Sequence, residues 1–331
     1  METVIITGGR GASGRWIVDR LAGEYEVVVI DYEHPGLGVT PATNVSFRAA
    51  DLADRGETLD VVSAVNPDAV VHWAAIPVAG THPAGRVFET NVLAAHNVLT
   101  AAGRADARIV QASSDGAYGF FFADPTPLPD ALPVTEDHPL RPEDPYGLSK
   151  VTAEETAAAV ARAHDVPAVS IRPSWIQYPG AYACREEEYV DDLDAGAGNF
   201  WSYVDVRDVA DLVAAALDRT GDATGAGDVD AETDEATSEP SDAGVEDGPA
   251  VPAGTHEAIN CVAADNALGR PLRELIGEVY GELPAETNVD PGDDRGAYAI
   301  RKAKRLFDWQ PSRSWRTAAS ETVAEPTLLE R

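Results

Sequence analysis

Short runs of β-branched and other apolar residues alternate along this chain with stretches that repeat at helical spacing, and that alternation confines it to one class of fold. Thr3 to Thr7, Glu26 to Asp31, Val45 to Arg48, Ala69 to Trp73, Arg108 to Ala112 and Ala168 to Arg172 read as buried strands. Between two of them, Pro83 to Gly103 places Val87, Val92, Ala95, Leu99 and Ala102 near helical period. Strands separated by helices return in the same direction, so they pair in parallel through right-handed crossovers. Later in the chain, Ala258 to Val262 reads as a strand and Leu272 to Tyr280 as a helix. The expected class is α/β, a doubly wound parallel sheet.

The first connection carries a specific signal. Thr7-Gly8-Gly9-Arg10-Gly11-Ala12-Ser13-Gly14 follows the first strand and opens a helix running through Trp16, Ile17 and Leu21. Glycines there permit a tight turn and let a pyrophosphate approach the backbone, while the helix N-terminus favours the anion. Asp31 ends the second strand about twenty residues on, where a carboxylate accepts hydrogen bonds from an adenosine ribose. That carboxylate repels a 2′-phosphate and argues for NAD over NADP. Arg10 leaves the choice open, since it either neutralises a 2′-phosphate, pairs with Asp31 or faces solvent.

A second signal lies in Pro145-Tyr146-Gly147-Leu148-Ser149-Lys150, because the sequence holds only three lysines, Lys150, Lys302 and Lys304. Pro145 suits the first position of a helix, and residues four apart share a helix face. A phenol titrating near 10 becomes a useful base at neutral pH when a neighbouring positive charge favours its phenolate. Lowering it by about three units takes roughly 4 kcal/mol, which Lys150 and a cofactor's positive charge are expected to supply. The same spacing also fits a solvated helix face.

Composition excludes several functions. With 56 acidic against 25 basic residues and a formal net charge of −31, the surface repels nucleic acid and anionic membranes. Such acidity resembles that of proteins from salt-loving archaea, whose exposed carboxylates keep them dispersed at high salt. Cys184 and Cys261 stand far apart without metal-like spacing, so two reduced, packed thiols are expected, with neither metal nor disulfide. No apolar run is long enough to span a membrane and no signal peptide precedes Val4, so a cytoplasmic location is expected. From Thr220 to Thr255 the sequence collapses into Gly, Ala, Asp, Glu, Ser, Thr and Pro, and no lysine or arginine occurs between Arg219 and Arg270. Residues 220–255 are therefore expected to form a disordered acidic insertion.

Taken together these residues resemble the extended short-chain dehydrogenase/reductase superfamily, and within it the NAD-dependent epimerase/dehydratase family. The glycine run is similar to the family's Thr-Gly-x-x-Gly-x-x-Gly motif, Asp51-Leu52 to its adenine-side contact, and His72-Trp73-Ala74-Ala75 to the segment lining the cofactor. Asn91 matches a family helix, where a buried packing amide is the expected role. Ser113 to Gly119 resembles the fifth-strand motif, and Arg172-Pro173 and Tyr203 to Ala210 match later segments.

The resemblance implies a Rossmann-type sheet with a small C-terminal substrate-binding region. Residues 1–175, joined by 204–219, would bind NAD, while 176–203 and 256–331 would bind substrate. It implies a catalytic set of Ser114, Tyr146 and Lys150, and a cofactor site of Gly8, Arg10, Gly11, Gly14, Asp31, Asp51, Leu52, Ala74, Tyr146, Lys150 and Pro173. Tyr146 would take the proton of a secondary alcohol on a sugar or nucleotide sugar, with the hydride passing to NAD. Lys150 would hold the nicotinamide ribose. A homodimer pairing Pro83 to Gly103 and Tyr146 to His164 is also implied.

Departures from the family narrow this. Asp115 is followed by Gly116 where 4,6-dehydratases carry a glutamate, which disfavours dehydration. Epimerase and net dehydrogenase both remain. A uronate or sugar dehydrogenase acting without a nucleotide is the alternative within the class, and a catalytically silent NAD-binding regulator the alternative outside it. Trp175, Gln177, Trp201 and Tyr203 belong either to a sugar site or to the core, and the proline-rich connection from Phe120 to Pro145 is placed to cover the site as a lid.

Overall fold

The computed structural model describes residues 1–330 apart from 37, 79, 81 and 221–250. Seven strands form the main sheet: β1 (Thr3–Thr7), β2 (Glu26–Asp31), β3 (Val45–Ala49), β4 (Ala69–His72), β5 (Arg108–Ala112), β6 (Ala168–Pro173) and β7 (His256–Cys261). Every neighbouring pair is parallel, in the order β7-β6-β5-β4-β1-β2-β3. The expected Rossmann-type sheet is thus present. The chain runs outward from β1 to β3, then crosses back to β4 on the other side of β1. Connections leaving β1 and β4 diverge there, and a crevice opens beyond their carboxyl ends.

The helices that position the site are α1 (Gly14–Leu21), α2 (Arg55–Val65), α3 (Ala84–Arg104), α4 (Pro145–His164), α5 (Val206–Arg219) and α6 (Leu272–Tyr280). Their ends follow from local chemistry. Pro145 occupies the first turn of α4, and the Asp144 carboxylate caps it by accepting from the Tyr146 and Gly147 N–H groups at 2.8 Å. Asp54 caps α2 and Asp205 caps α5 in the same manner. Asn66 and Asp165 end α2 and α4 in the left-handed region, which such short polar residues tolerate.

One apolar layer packs α1 and α5 on one face of the sheet, through Ile17, Leu21, Val209 and Val213. A second packs α2, α3 and α4 on the other, through Val62, Val98, Leu99 and Ala157. A third, aromatic cluster gathers Tyr118, Phe120, Phe200, Trp201 and Tyr203 against α6. Trp201 and Tyr203 are fully buried there, which settles their open reading in favour of core. Gln177 goes the same way, accepting from the Cys184 N–H and donating to the Trp175 carbonyl. Both cysteines are buried free thiols.

The acidic stretch departs from its expected boundaries. Residues 221–250 lie outside the described residues, but Thr220 is fully buried and its hydroxyl donates to the Ala216 carbonyl. Val251 is buried too, and its N–H donates to the Arg219 carbonyl. Ala168 in β6 bonds the Thr255 carbonyl. Apolar Val251 and the edge of β6 tie these flanks down, a contribution that composition averaged over the segment conceals. No helix among the described residues is long and apolar enough to cross a membrane.

Behind the crevice lies a buried ion pair. Arg172 on β6 donates from Nε and Nη2 to the two Glu154 carboxylate oxygens on α4, at 2.8 and 2.6 Å. Its Nη1 reaches the Tyr118 hydroxyl at 2.9 Å, which donates to Asn260 on β7 at 2.7 Å. Ser113 also donates to Glu154. Removing one charge of such a pair strands the other. Glu154→Gln is expected to lower unfolding stability by about 3 kcal/mol in denaturant titration, whereas Glu154→Leu with Arg172→Met together should lose less than Glu154→Gln alone.

Candidate active site

The crevice is built from the ends of β1, β4, β5 and β6. The Thr7 hydroxyl oxygen accepts from the Trp73 and Ala74 N–H groups at 3.1 and 3.2 Å and lies 2.8 Å from His72 Nδ1. Burial pushes the His72 imidazole down to about 3, with the Lys150 charge acting the same way. The ring is therefore neutral. This stitch holds the glycine turn against β4. Gly8 has φ +68°, and a Cβ there would stand 2.7 Å from Ala74 Cα. A Cβ on Gly14 would stand 2.2 Å from the Gly8 carbonyl oxygen. Only glycine fits either position, and the turn is left as bare backbone at the start of α1.

Asp31 closes the far end of the turn. Its carboxylate accepts from the Arg10 N–H at 3.2 Å and from the Tyr32 N–H at 2.9 Å. The Arg10 guanidinium instead donates to the Glu33 carbonyl at 2.6 Å. Of the alternatives left open by sequence, Arg10 thus adopts a main-chain contact and leaves the Asp31 carboxylate without a guanidinium partner.

A cavity of about 820 Å³ fills the crevice. Gly8, Arg10, Gly11, Gly14, Asp31, Ala74, Ser114, Tyr146, Lys150 and Pro173 all lie on its wall. Asp51 and Leu52, expected at the adenine end, do not. Asp51 turns back on itself, its carboxylate accepting from the Ala53 N–H, and Leu52 packs with Val62 and Val98 behind the turn that starts α2. Asn91 lies off the wall as well, bonding both polar groups of Ile76 and the Ser149 hydroxyl in the packing role expected of it.

Ser114 follows β5, and Tyr146 and Lys150 come from successive turns of α4. The Ser114 Oγ accepts from the Gly116 N–H at 3.0 Å, donates to Asp115 Oδ1 at 3.3 Å and is hydrogen-bonded to the Tyr146 hydroxyl. Lys150 Nζ donates to the Ala112 carbonyl at 2.9 Å and lies 5.6 Å from the centre of the Tyr146 ring. Phe122 meets the Tyr146 ring edge-on, at 6.1 Å between centroids. Phe121 and Phe122 bring the Phe120 to Pro145 connection onto the cavity wall.

The electrostatics differ from the expectation. Burial pushes the Tyr146 phenol up to about 12, the Asp115 and Asp144 charges push the same way, and the Ser114 hydrogen bond opposes them. Burial pulls the Lys150 ammonium down to about 8, opposed by Glu154. The lowered phenol does not arise from the protein alone. Helical spacing brings the ammonium to the ring while its proton goes to a carbonyl, and the hydroxyl faces carboxylates in a dry site.

These residues fit NAD. The glycine floor offers backbone to a pyrophosphate at the start of α1, Asp31 offers a ribose acceptor, and Lys150 offers a cation on the same wall. Trp73 lies on the wall, as its resemblance to a cofactor-lining segment implied; sequence reasoning passed over Ser174 and Tyr178 as wall residues and gave Asp115 no place in the site. The signal for them was positional: they follow the carboxyl ends of β5 and β6, where a doubly wound sheet binds its ligand.

Comparison with known proteins agrees with this geometry. The model of the NAD dependent epimerase/dehydratase family matches residues 4–227. The UDP-glucose 4-epimerase of Streptococcus mutans is 32% identical over 176 residues, covering 51% of this chain and 50% of that protein. The chain thus spans about half the length of the curated relatives it matches. A crystal structure of a UDP-galactose 4-epimerase superposes with TM-score 0.59 at 26% identity, over 96% of this chain and 95% of that one. The Bordetella bronchiseptica enzyme WbmG in complex with NAD shares the fold, with TM-score 0.61 at 20% identity over 96% and 91% of the two chains. With a matching model over two-thirds of its length and the glycine turn, Asp31 and Ser114-Tyr146-Lys150 on one cavity, the chain belongs to the NAD dependent epimerase/dehydratase family.

Proposed function

We propose that this protein oxidises a secondary hydroxyl of a sugar or nucleotide sugar, using NAD. The observation that carries the reading is the meeting of Ser114, Tyr146 and Lys150 on the wall of the cavity that holds the glycine turn. A silent NAD-binding regulator has no need of all three. NAD, when bound, supplies the hydride acceptor and a positive ring charge. The substrate's C–H electron pair leaves as hydride, its O–H proton goes to the Tyr146 oxygen, and a carbonyl forms at that carbon. Ser114 holds the same oxygen in line with Tyr146. Lys150 would hold the nicotinamide ribose, and its charge together with the positive charge that NAD would bring would offset the burial that raises Tyr146. Gly116 places no carboxylate beside Asp115, which weighs against water elimination.

A net dehydrogenase leaves stoichiometric NADH, and an epimerase returns the hydride to its substrate. Absorbance at the NADH band across sugars, uronates and UDP-sugars separates the two. Tyr146→Phe is expected to lower kcat by about 10² to 10⁴ while NAD affinity stays within a few-fold; an unchanged kcat would remove Tyr146 from the mechanism.

Lys150 sets the alkaline limit. Its ammonium sits near 8 in the free protein, so the charge is present below that pH and lost above it. kcat/KM, which reports the free enzyme, should fall as pH rises through about 8, and this limb should vanish in Lys150→Met.

We also propose a homodimer through α3 and α4. Leu93 and Leu148 are exposed on these helices, and a groove of about 430 Å³ runs between them past His96 and Thr152. Sedimentation in high salt should show a dimer that Leu148→Arg converts to monomer.

A further inference from the structure

Of the six tryptophans in the chain, five are committed to the protein itself. Trp16 is buried. Trp73 gives its indole N–H to the Ser13 hydroxyl at 3.0 Å, and Trp201, Trp309 and Trp315 give theirs to the Leu193, Asp208 and Asn266 carbonyls at 3.1, 3.1 and 3.0 Å. Trp175 is the exception. It is half-buried, it lies on the wall of the active-site cavity, and its indole N–H donates to no group among the described residues.

The ring is nevertheless held in place. Trp175–Gln177 pair in parallel with Tyr203–Asp205, which fixes the backbone. Tyr189 backs the indole, with 5.1 Å between centroids and a tilt of 55°. Tyr189 is itself buried and bonded to Asn199 at 3.3 Å. An aromatic surface set in advance in this way loses little freedom when a ligand arrives.

Its position indicates which part of a ligand it meets. Trp175 follows Ser174, whose hydroxyl bonds the Asp115 carboxylate; Asp115 accepts from Ser114, and Ser114 bonds Tyr146. The indole thus adjoins the end of the cavity where the proton and hydride leave, so the group beside it is the one being oxidised. An aromatic face is negative and attracts the positive edges of C–H groups. A pyranose ring offers such edges on its faces, and its oxygens accept from an N–H.

Resting on the proposed hydride transfer, we infer that Trp175 is the surface on which the substrate's pyranose ring stacks, C–H groups against the indole and one oxygen accepting from its N–H. The same ring is brought by a free sugar or by the sugar of a nucleotide sugar.

The test uses the NAD-loaded protein with D-glucose, D-galactose, D-glucuronate, the UDP conjugate of each, and UDP alone. Calorimetry reads binding, NADH absorbance reads hydride transfer, and tryptophan emission reads contact with the indole. For the sugar that binds, Trp175→Leu should raise KM about tenfold or more, with kcat and the NAD dissociation constant little changed. Trp175→Phe, which keeps an aromatic face and loses the N–H, should raise KM about threefold. Addition of that sugar should change the emission of the wild type and not of Trp175→Phe, a readout that also serves if Trp175→Leu fails to fold. Where a UDP conjugate binds, the affinity for UDP alone should be the same in Trp175→Leu as in wild type. An unchanged KM in both variants, a loss that falls on NAD or on UDP alone, an emission change that persists in Trp175→Phe, or binding of none of the six sugars would each overturn the inference. Sugar binding that depends on Trp175 without transient or net NADH, or turnover that persists in Tyr146→Phe, would overturn the proposed reaction and leave the stacking surface in place.

Discussion

The buried Glu154–Arg172 pair is the interaction on which the active site depends. Tyr146, Lys150 and Glu154 occupy three successive turns of one face of α4, so whatever fixes the rotation of that helix fixes the site. Arg172 clamps Glu154 from β6 with two hydrogen bonds, and through Tyr118 the same guanidinium reaches β7. Such a pair gains little over a well-packed apolar one in stability. What it gives here is register: α4 cannot turn without breaking a bidentate contact, and the Tyr146 hydroxyl therefore meets Ser114 in one orientation. Glu154 has a second effect, since its charge opposes the burial that strips Lys150 of its proton.

Dryness sets the chemistry as much as charge does. Burial drives an acid and a base toward their neutral forms, which raises Tyr146 and lowers Lys150. Left alone, the site is a phenol beside a weakened ammonium. Under the proposed reaction, Tyr146 would act as a base only once further positive charge enters beside it, so proton removal would wait on the charge that NAD brings.

Much of this was legible in the sequence because the decisive features are local. A parallel strand buried on both faces reads as a continuous apolar run, and β1, β2 and β5 fall at their expected residues. Gly14 is demanded by a collision within one turn, with the Gly8 carbonyl, and the Tyr146-Lys150 spacing is a property of one helix. What was hidden depends on contacts between distant segments. Trp201 and Tyr203 offered aromatic faces equally suited to sugar or core, and the third apolar cluster decided between them. Asp51 is exposed, and its carboxylate accepts from the Ala53 N–H in the turn ahead of α2, a local contact that residue type alone does not report. The flanks at Thr220 and Val251 look like the acidic stretch they border and are held instead by neighbours in α5. The sign of the Tyr146 shift also escaped, because spacing reports a charge at the ring and says nothing of the water lost from the hydroxyl.

The choice between the two cations explains the scarcity of lysine better than composition does. Arginine holds its charge under burial and grips a carboxylate with two parallel hydrogen bonds. Glu154, Asp205, Asp208 and Asp265 each use one in this way or through a single contact. A guanidinium at position 150 would keep its charge at any pH, whereas the compact Lys150 ammonium meets the Ala112 carbonyl and the Tyr146 ring as a point charge. Lysine's readiness to lose its proton, a liability in a structural ion pair, is tolerable at this one buried position because Glu154 lies one turn away. Of the three lysines among 25 basic residues, Lys150 is the one on the wall of the cavity.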